Sequence, residues 1–263
     1  MNISKIFLYD EPAVPEINLE HTSKFLENTF KVKTVCRENI FRNAPAPIAK
    51  KLAGSRIFEF RKPFESHEPT AEETQFEIES FQNSSKIENI ILYDGFEFQQ
   101  IVSELIPTEE QDVGYLHIVF TNKLTCTFDP NDYRYHGRAI IGTNPTIIST
   151  TGMIEAPAKP REYYLDLMAN YSQGLNIDSI KQKYQGRYLE YHDPRIGTVV
   201  EGYCLQSIFY YITGEPFCEQ LDCRLNNAHW QHDLLHSQID IGKLCPRHEK
   251  ILSDWIVLHN LNC

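Results

Sequence analysis

Residues 214–248 read GEPFCEQLDCRLNNAHWQHDLLHSQIDIGKLCPRH. Three cysteines and a histidine stand there as two close pairs, Cys218-x4-Cys223 and Cys245-x2-His248, with 21 residues between the pairs. Each pair spans a tight turn and offers two ligands from one side, and a spacer of helix length lets the pairs converge. Thiolate and imidazole donors suit zinc, whereas magnesium and calcium want oxygen. The spacing points to one structural Zn2+ per chain, held by Cys218, Cys223, Cys245 and His248. Four protein ligands close a tetrahedron and leave no position for a reactive water, so such a site stabilises and does not catalyse. The plain competing reading is three buried thiols and a surface histidine, because free cysteine is a common core residue. Against it, Cys36, Cys126, Cys204 and Cys263 are scattered, while the two pairs cluster.

Inside the spacer lies His229-x2-His232-x3-His236, with Asp233 directly after the middle histidine. Histidines four apart on a helix share a face and can grip one zinc, and an acid after the first can serve as general base. Aspartate in place of glutamate draws the carboxylate back by one bond, about 1.5 Å. His229 lies one turn back on the same face, and a third ligand has to come from elsewhere. His117, His136, His192 and His259 are candidates without distinguishing context. The plain reading is a solvated polar face with Trp230 and Leu234 on the buried side.

The rest of the chain sets bounds. Its 263 residues are enough for a sizeable core, with 41% hydrophobic and 23% charged residues, ordinary for a globular protein. A net charge of −11 argues against a nucleic-acid partner, which requires a basic face. No apolar run approaches the roughly 18 residues of a membrane helix, and the opening MNISKIFLYD lacks a signal-peptide core. Clustered cysteines without an export signal favour metal over disulfide, and a reduced, cytoplasmic protein is expected.

Periodicity predicts strands at 5–10 and 31–41 around a helix at 15–30, a β-α-β unit of the kind that builds a parallel sheet. A helix is predicted at 44–53, with Pro45 and Pro47 at its entry. Further helices are predicted at 72–81 and 96–106, a strand at 87–93, and one or two strands over 115–128. Residues 129–136 (DPNDYRYH) read as a surface loop between strands, with enough charge and aromatic character to line a pocket. Residues 139–154 read as two strands turning at Asn144-Pro145. Helices follow at 161–170, 177–191, 199–213, 227–240 and 249–261. The expectation is a single α/β domain over 1–263, sheet-rich in 1–155 and helical, zinc-tied, in 156–263.

The C-terminal third resembles the archaemetzincins, zinc peptidases that carry H-E-x-x-H-x-x-G-x-x-H-C, then four residues, a second cysteine, x-Met and a downstream C-x-x-C. Gly214, Cys218 and Cys223 are in register, Leu225 stands at the methionine position, and Cys245-x2-His248 stands for the last pair. In that family the cysteines hold a second, structural zinc. The resemblance implies a metzincin-like α/β fold with a mixed sheet and helices. The same register places the three zinc-binding histidines at Ser207, Tyr211 and Phe217 and the general base at Ile208. Ile208 cannot accept a proton and Phe217 cannot ligate metal. The whole chain is similar to an archaeal family of metallopeptidases related to archaemetzincins. Three readings follow: a degenerate, catalytically inactive relative with a binding or regulatory role toward a peptide or protein, an active zinc metallopeptidase with its centre relocated to His232, Asp233 and His236, or a non-proteolytic metal enzyme using the same histidines. Oligomeric state has no signature in the sequence.

Overall fold

The computed structural model describes residues 2–63, 65, 67–82 and 90–260. The chain runs β1 (Lys5–Tyr9), α1 (Leu19–Phe30), β2 (Lys33–Arg37), α2 (Ala46–Gly54), α3 (Ala71–Gln82), β3 (Leu92–Asp94) and α4 (Gly95–Ser103). It continues through β4 (Tyr115–Thr121), β5 (Leu124–Asp129), β6 (Arg134–Arg138), β7 (Ile140–Ile141), β8 (Thr146–Ser149) and α5 (Thr150–Glu155). The last part is α6 (Arg161–Ser172), α7 (Asp178–Tyr184), α8 (Ile196–Thr213), α9 (Gln231–Leu235) and α10 (Pro246–Asn260).

The main sheet has the order β2-β1-β4-β8-β7. Its first four strands are parallel, and β7 returns antiparallel along the edge of β8. A smaller sheet, β3-β5-β6, pairs β3 parallel and β6 antiparallel to β5. The fold is thus α/β with mixed sheets.

Alternation along the strands decides which residues face which layer. Ile6 and Leu8 of β1, Leu116, Ile118 and Phe120 of β4, and Ile148 of β8 point to one side. They pack with Leu26 and Phe30 of α1 and with Val200, Leu205, Ile208 and Phe209 of α8. Phe7, Tyr9, Val119 and Ile147 point to the other side, against Ile48 and Leu52 of α2 and Phe98, Ile101 and Val102 of α4. A parallel sheet buried on both faces reads as near-continuous apolar runs, as β1 and β4 do.

Local signals explain most boundaries. Asn18 accepts from His21 N and caps α1, so residues 15–17 stay outside the helix. Asp94 accepts from Phe96 N and Glu97 N at the start of α4. Gly214, at φ 81, ends α8 by donating to Tyr210 O at 2.8 Å.

Several expected elements are corrected. The second strand of 139–154 stops at Ser149, whose hydroxyl accepts from Gly152 N and opens α5. Residues 134–138 form β6, not a loop, because β5 offers an unpaired edge to a charged stretch that hides its alternation. The helix expected over 177–191 ends at Tyr184, and Gly186 at φ 80 turns the chain. The helix expected over 227–240 begins only at Gln231 and passes at His236 into a π-helical stretch, His236–Ile241. Of the strand expected at 87–93, residues 87–89 lie outside the described residues.

Candidate functional site

Cys218, Cys223, Cys245 and His248 converge. Each offers a ligand atom, and these atoms lie within 4.8 Å of one another, all four residues being buried. Cys218 Sγ and Cys245 Sγ are 4.0 Å apart, and His248 Nδ1 lies 3.6 Å from Cys223 Sγ and 3.1 Å from Cys245 Sγ. Tetrahedral zinc, with Zn–S near 2.3 Å and Zn–N near 2.0–2.1 Å, spaces its donors by roughly 3.5–3.8 Å. The donor set and its dimensions therefore fit one zinc ion.

The backbone is shaped to hold this arrangement. Cys218 N donates to Leu225 O at 2.7 Å and Asn226 N to Cys223 O at 2.8 Å, closing the first pair into a knuckle. Asn226 Nδ2 reaches the carbonyls of Cys218 and Gln220. Arg224 N donates to Lys243 O at 2.8 Å, which brings the second pair alongside the first. Pro246 opens α10, a favoured place for proline, so Cys245 precedes the helix and His248 lies in its first turn. The sulfurs also receive N–H donors: Gln220 N to Cys218 and Cys245 N to Cys223, each at 3.4 Å.

Burial pushes the Cys223 thiol up to about 12. Burial pushes the Cys245 thiol up as well, but the N–H groups of His248 and Arg247 and the neighbouring sulfurs outweigh it and hold the thiol below its ordinary value. Burial holds His248 below its ordinary value, which favours the neutral ring that a metal requires. The ring stands edge-on to Phe209 of α8 at 5.5 Å.

The side chains that brace this loop carry no signal in the sequence. Arg224 donates to Thr198 O at 2.7 Å and to Glu201 at 3.1 Å, and its guanidinium lies over Phe25. Glu201 is also held by His21 at 2.9 Å. Gln238 donates to Arg224 O at 2.8 Å from the π-helical stretch and packs where Gly202 leaves room. A Cβ at Gly202 would stand 1.6 Å from Gln238 Oε1.

Among the described residues, His232, Asp233 and His236 are not brought together with a third ligand. His232 Nε2 lies 3.0 Å from its neighbour Asp233, whereas His236 Nε2 faces Asp222 at 2.7 Å. His232 lines an open groove with Arg161, Arg187, Trp230, Leu235 and Asp240. Among the described residues, the other group with metal-ligand spacing is Asp129, Asp132 and His136, in an exposed turn where Arg134 and His136 already engage Asp132.

The remaining histidines have partners of their own. His117 is buried, stacks on Phe7 at 4.8 Å, and spans Tyr9 and Glu110. Glu110 O can only accept, so Nε2 donates to it at 2.9 Å and Nδ1 accepts from Tyr9 Oη at 3.0 Å. His192 pairs with Glu16, and His259 stacks on Trp255.

The four positions in register with the catalytic motif, three on α8 and Phe217 beyond its end, hold no histidine or carboxylate. Ser207 is buried and donates to Thr146 Oγ1 at 2.7 Å, and Ile208 is fully buried. Tyr211 Oη donates to Val113 O, and Phe217 is partly exposed. The neighbouring face of α8, Tyr203, Gln206 and Tyr210, lines a cavity of about 390 Å³. Ile140 and Ile141 of edge strand β7, Phe217 and His229 also line it. Among the described residues, no helix is long and apolar enough to cross a membrane.

Comparison with known proteins bears on the family. No curated protein matches the chain. Among solved structures it is similar to archaemetzincin from Methanopyrus kandleri, at 9% identity, a TM-score of 0.46, and coverage of 97% of this chain and 96% of that one. It is also similar to a zinc-dependent peptidase from Methanocorpusculum labreanum, at 11% identity, a TM-score of 0.43, and coverage of 94% and 99%. The model of the "Probable metallopeptidase family (DUF6775)" matches residues 2–255, and the chain belongs to that family.

Proposed function

We propose that this chain is a catalytically inactive member of its family, tied together by one structural zinc at Cys218, Cys223, Cys245 and His248, and that it binds an extended peptide without cleaving it. The observation that carries the reading is the state of α8. Ser207 spends its hydroxyl on Thr146 and Ile208 is sealed in the core, so the motif positions offer neither ligands nor a base. Zinc at the cysteine cluster would supply cross-linking only, since four protein donors fill its coordination.

The cavity beside α8 supports the binding role. Ser149 N donates to Ala139 O, so alternation turns the backbone groups of Ile140 outward from β8, at the edge of the sheet. An extended peptide can add to such an edge while its side chains enter the cavity. Gln206 presents a buried acceptor there, Oε1, with no hydrogen-bond partner among the described residues.

Metal content and hydrolysis test the reading on untagged protein. One zinc per chain, lost in Cys223→Ser, with no cleavage of a peptide library, is the expected result. A second zinc lost in His232→Ala, or hydrolysis abolished by Asp233→Asn, would replace it with a relocated peptidase centre. Retained peptide binding in Ile140→Pro, which lacks the outward N–H, would remove the edge-strand part.

A further inference from the structure

Helices α6 and α7 form a hairpin with its own small core, where Tyr163, Tyr184 and Tyr188 pack with Ile180. The opposite face of α6 carries Tyr164, Met168 and Tyr171 at i, i+4 and i+7, with Leu165 beside them, and Leu175 follows in the connecting turn. These side chains face solvent: Leu165 is 66%, Met168 70% and Tyr171 83% exposed. Single exposed apolar residues are ordinary, but a contiguous stripe of them marks an interaction surface.

We infer that this stripe is the contact between two copies of the chain, related by a twofold axis. Charge selects the occupant. The chain carries a net −11, so two copies repel over most of their surface. Between Tyr163 and Ile177 the one charged residue is Asp166, and Lys183 neutralises it at 2.6 Å. Copies can therefore meet here with the least Coulomb cost. An anionic membrane would need basic residues along the stripe, and Tyr163 to Ile177 carries none.

Area agrees. At roughly 200 Å² for each large side chain, the exposed fractions amount to about 600 Å² of apolar surface per copy. A standard interface takes about 800 Å² from each partner, a little over half of it apolar. In an isologous contact every side chain of the stripe is used twice, so one substitution acts at two places.

Sedimentation velocity on the full chain tests this, with Met168→Glu and Leu165→Glu as interface variants and Val257→Glu, exposed on α10, as a control. The expected result is a dimer of the 30.6 kDa chain at tens of micromolar. It should be lost in both interface variants, whose circular dichroism is unchanged, and kept in the control. A wild-type chain that stays monomeric at those concentrations overturns the inference, as does a dimer that persists in both interface variants. Binding to zwitterionic phosphatidylcholine vesicles by a monomer, abolished by Met168→Glu, would reassign the stripe to a lipid surface and overturn it too.

Discussion

The hydroxyl of Ser207 donates to Thr146 Oγ1 at 2.7 Å, joining the middle of α8 to β8 inside the core. Thr146 Oγ1 in turn donates to Thr143 O at 2.6 Å, so both hydroxyls are satisfied without solvent. A position in register with a zinc-binding histidine is thereby used as packing. Ser207→His should not create a metal site. It should overpack a buried position and cost about 1–3 kcal/mol. Zinc analysis and chemical denaturation check both statements, and an added zinc ion with stability kept would contradict them.

Metal removal should be felt throughout the C-terminal part. Structural zinc can contribute about 10 kcal/mol to the folding of small domains, comparable with a whole domain's margin of about 5–15 kcal/mol. Chelation, or Cys223→Ser, should lower the melting temperature by at least about 10 °C. Burial pushes the Cys223 thiol up to about 12, so binding must displace a proton and zinc retention should weaken as pH falls. Metal retention after dialysis across a pH series measures this.

Glu77 is fully buried in α3, where Arg56 donates to it at 2.6 Å, Lys123 at 2.9 Å and Tyr93 at 2.8 Å. Burial alone would push its carboxyl up, but Lys123 and Arg56 outweigh it and hold the group below its ordinary 4.5. A depressed folded-state value stabilises the fold above about 4.5, and that contribution disappears as pH falls through the folded-state value. Glu77→Gln leaves two cations poorly paired and should cost about 3–5 kcal/mol near neutrality. The loss should shrink in acid, which denaturant titrations at two pH values read directly.

His117 gives the protein a second acid-sensitive point. Burial holds its pKa below the ordinary 6.5, so protonation is harder folded than unfolded. Below about 6.5 the unfolded chain binds the proton first, and stability should fall as pH drops from there toward the folded-state value. Replacing His117 with Gln should flatten that part of the profile, at the cost of the stack on Phe7. Urea midpoints between pH 7 and 5 for both chains provide the measurement.

The convergence of Cys218, Cys223, Cys245 and His248 was legible because cysteine and histidine are informative wherever they cluster. The strands β1 and β4 were legible for a similar reason, as uninterrupted apolar runs between turn residues. The strand β6 was not, since RYHGR offers one core side chain, Tyr135, among polar residues, and its pairing is imposed by β5. Helix α9 is shorter than the pattern implied, and although His236 N still bonds to His232 O, the two rings engage different carboxylates, Asp233 and Asp222. Glu77 looked like any acid on a solvated helix, because its partners Arg56 and Lys123 come from distant parts of the chain. Arg224 was hidden likewise, its contacts with Thr198 and Glu201 depending on the docking of α8.

The brevity of β7 has its own consequence. A strand of two residues, Ile140 and Ile141, can share only a couple of main-chain bonds with a newcomer. Such a ledge grips no passing polypeptide by its backbone alone, which guards the rim against indiscriminate stacking into aggregates. Under the proposed peptide-binding role, discrimination among guests would have to come from the aromatic and amide groups of Tyr203, Gln206 and Tyr210 in the hollow next to it.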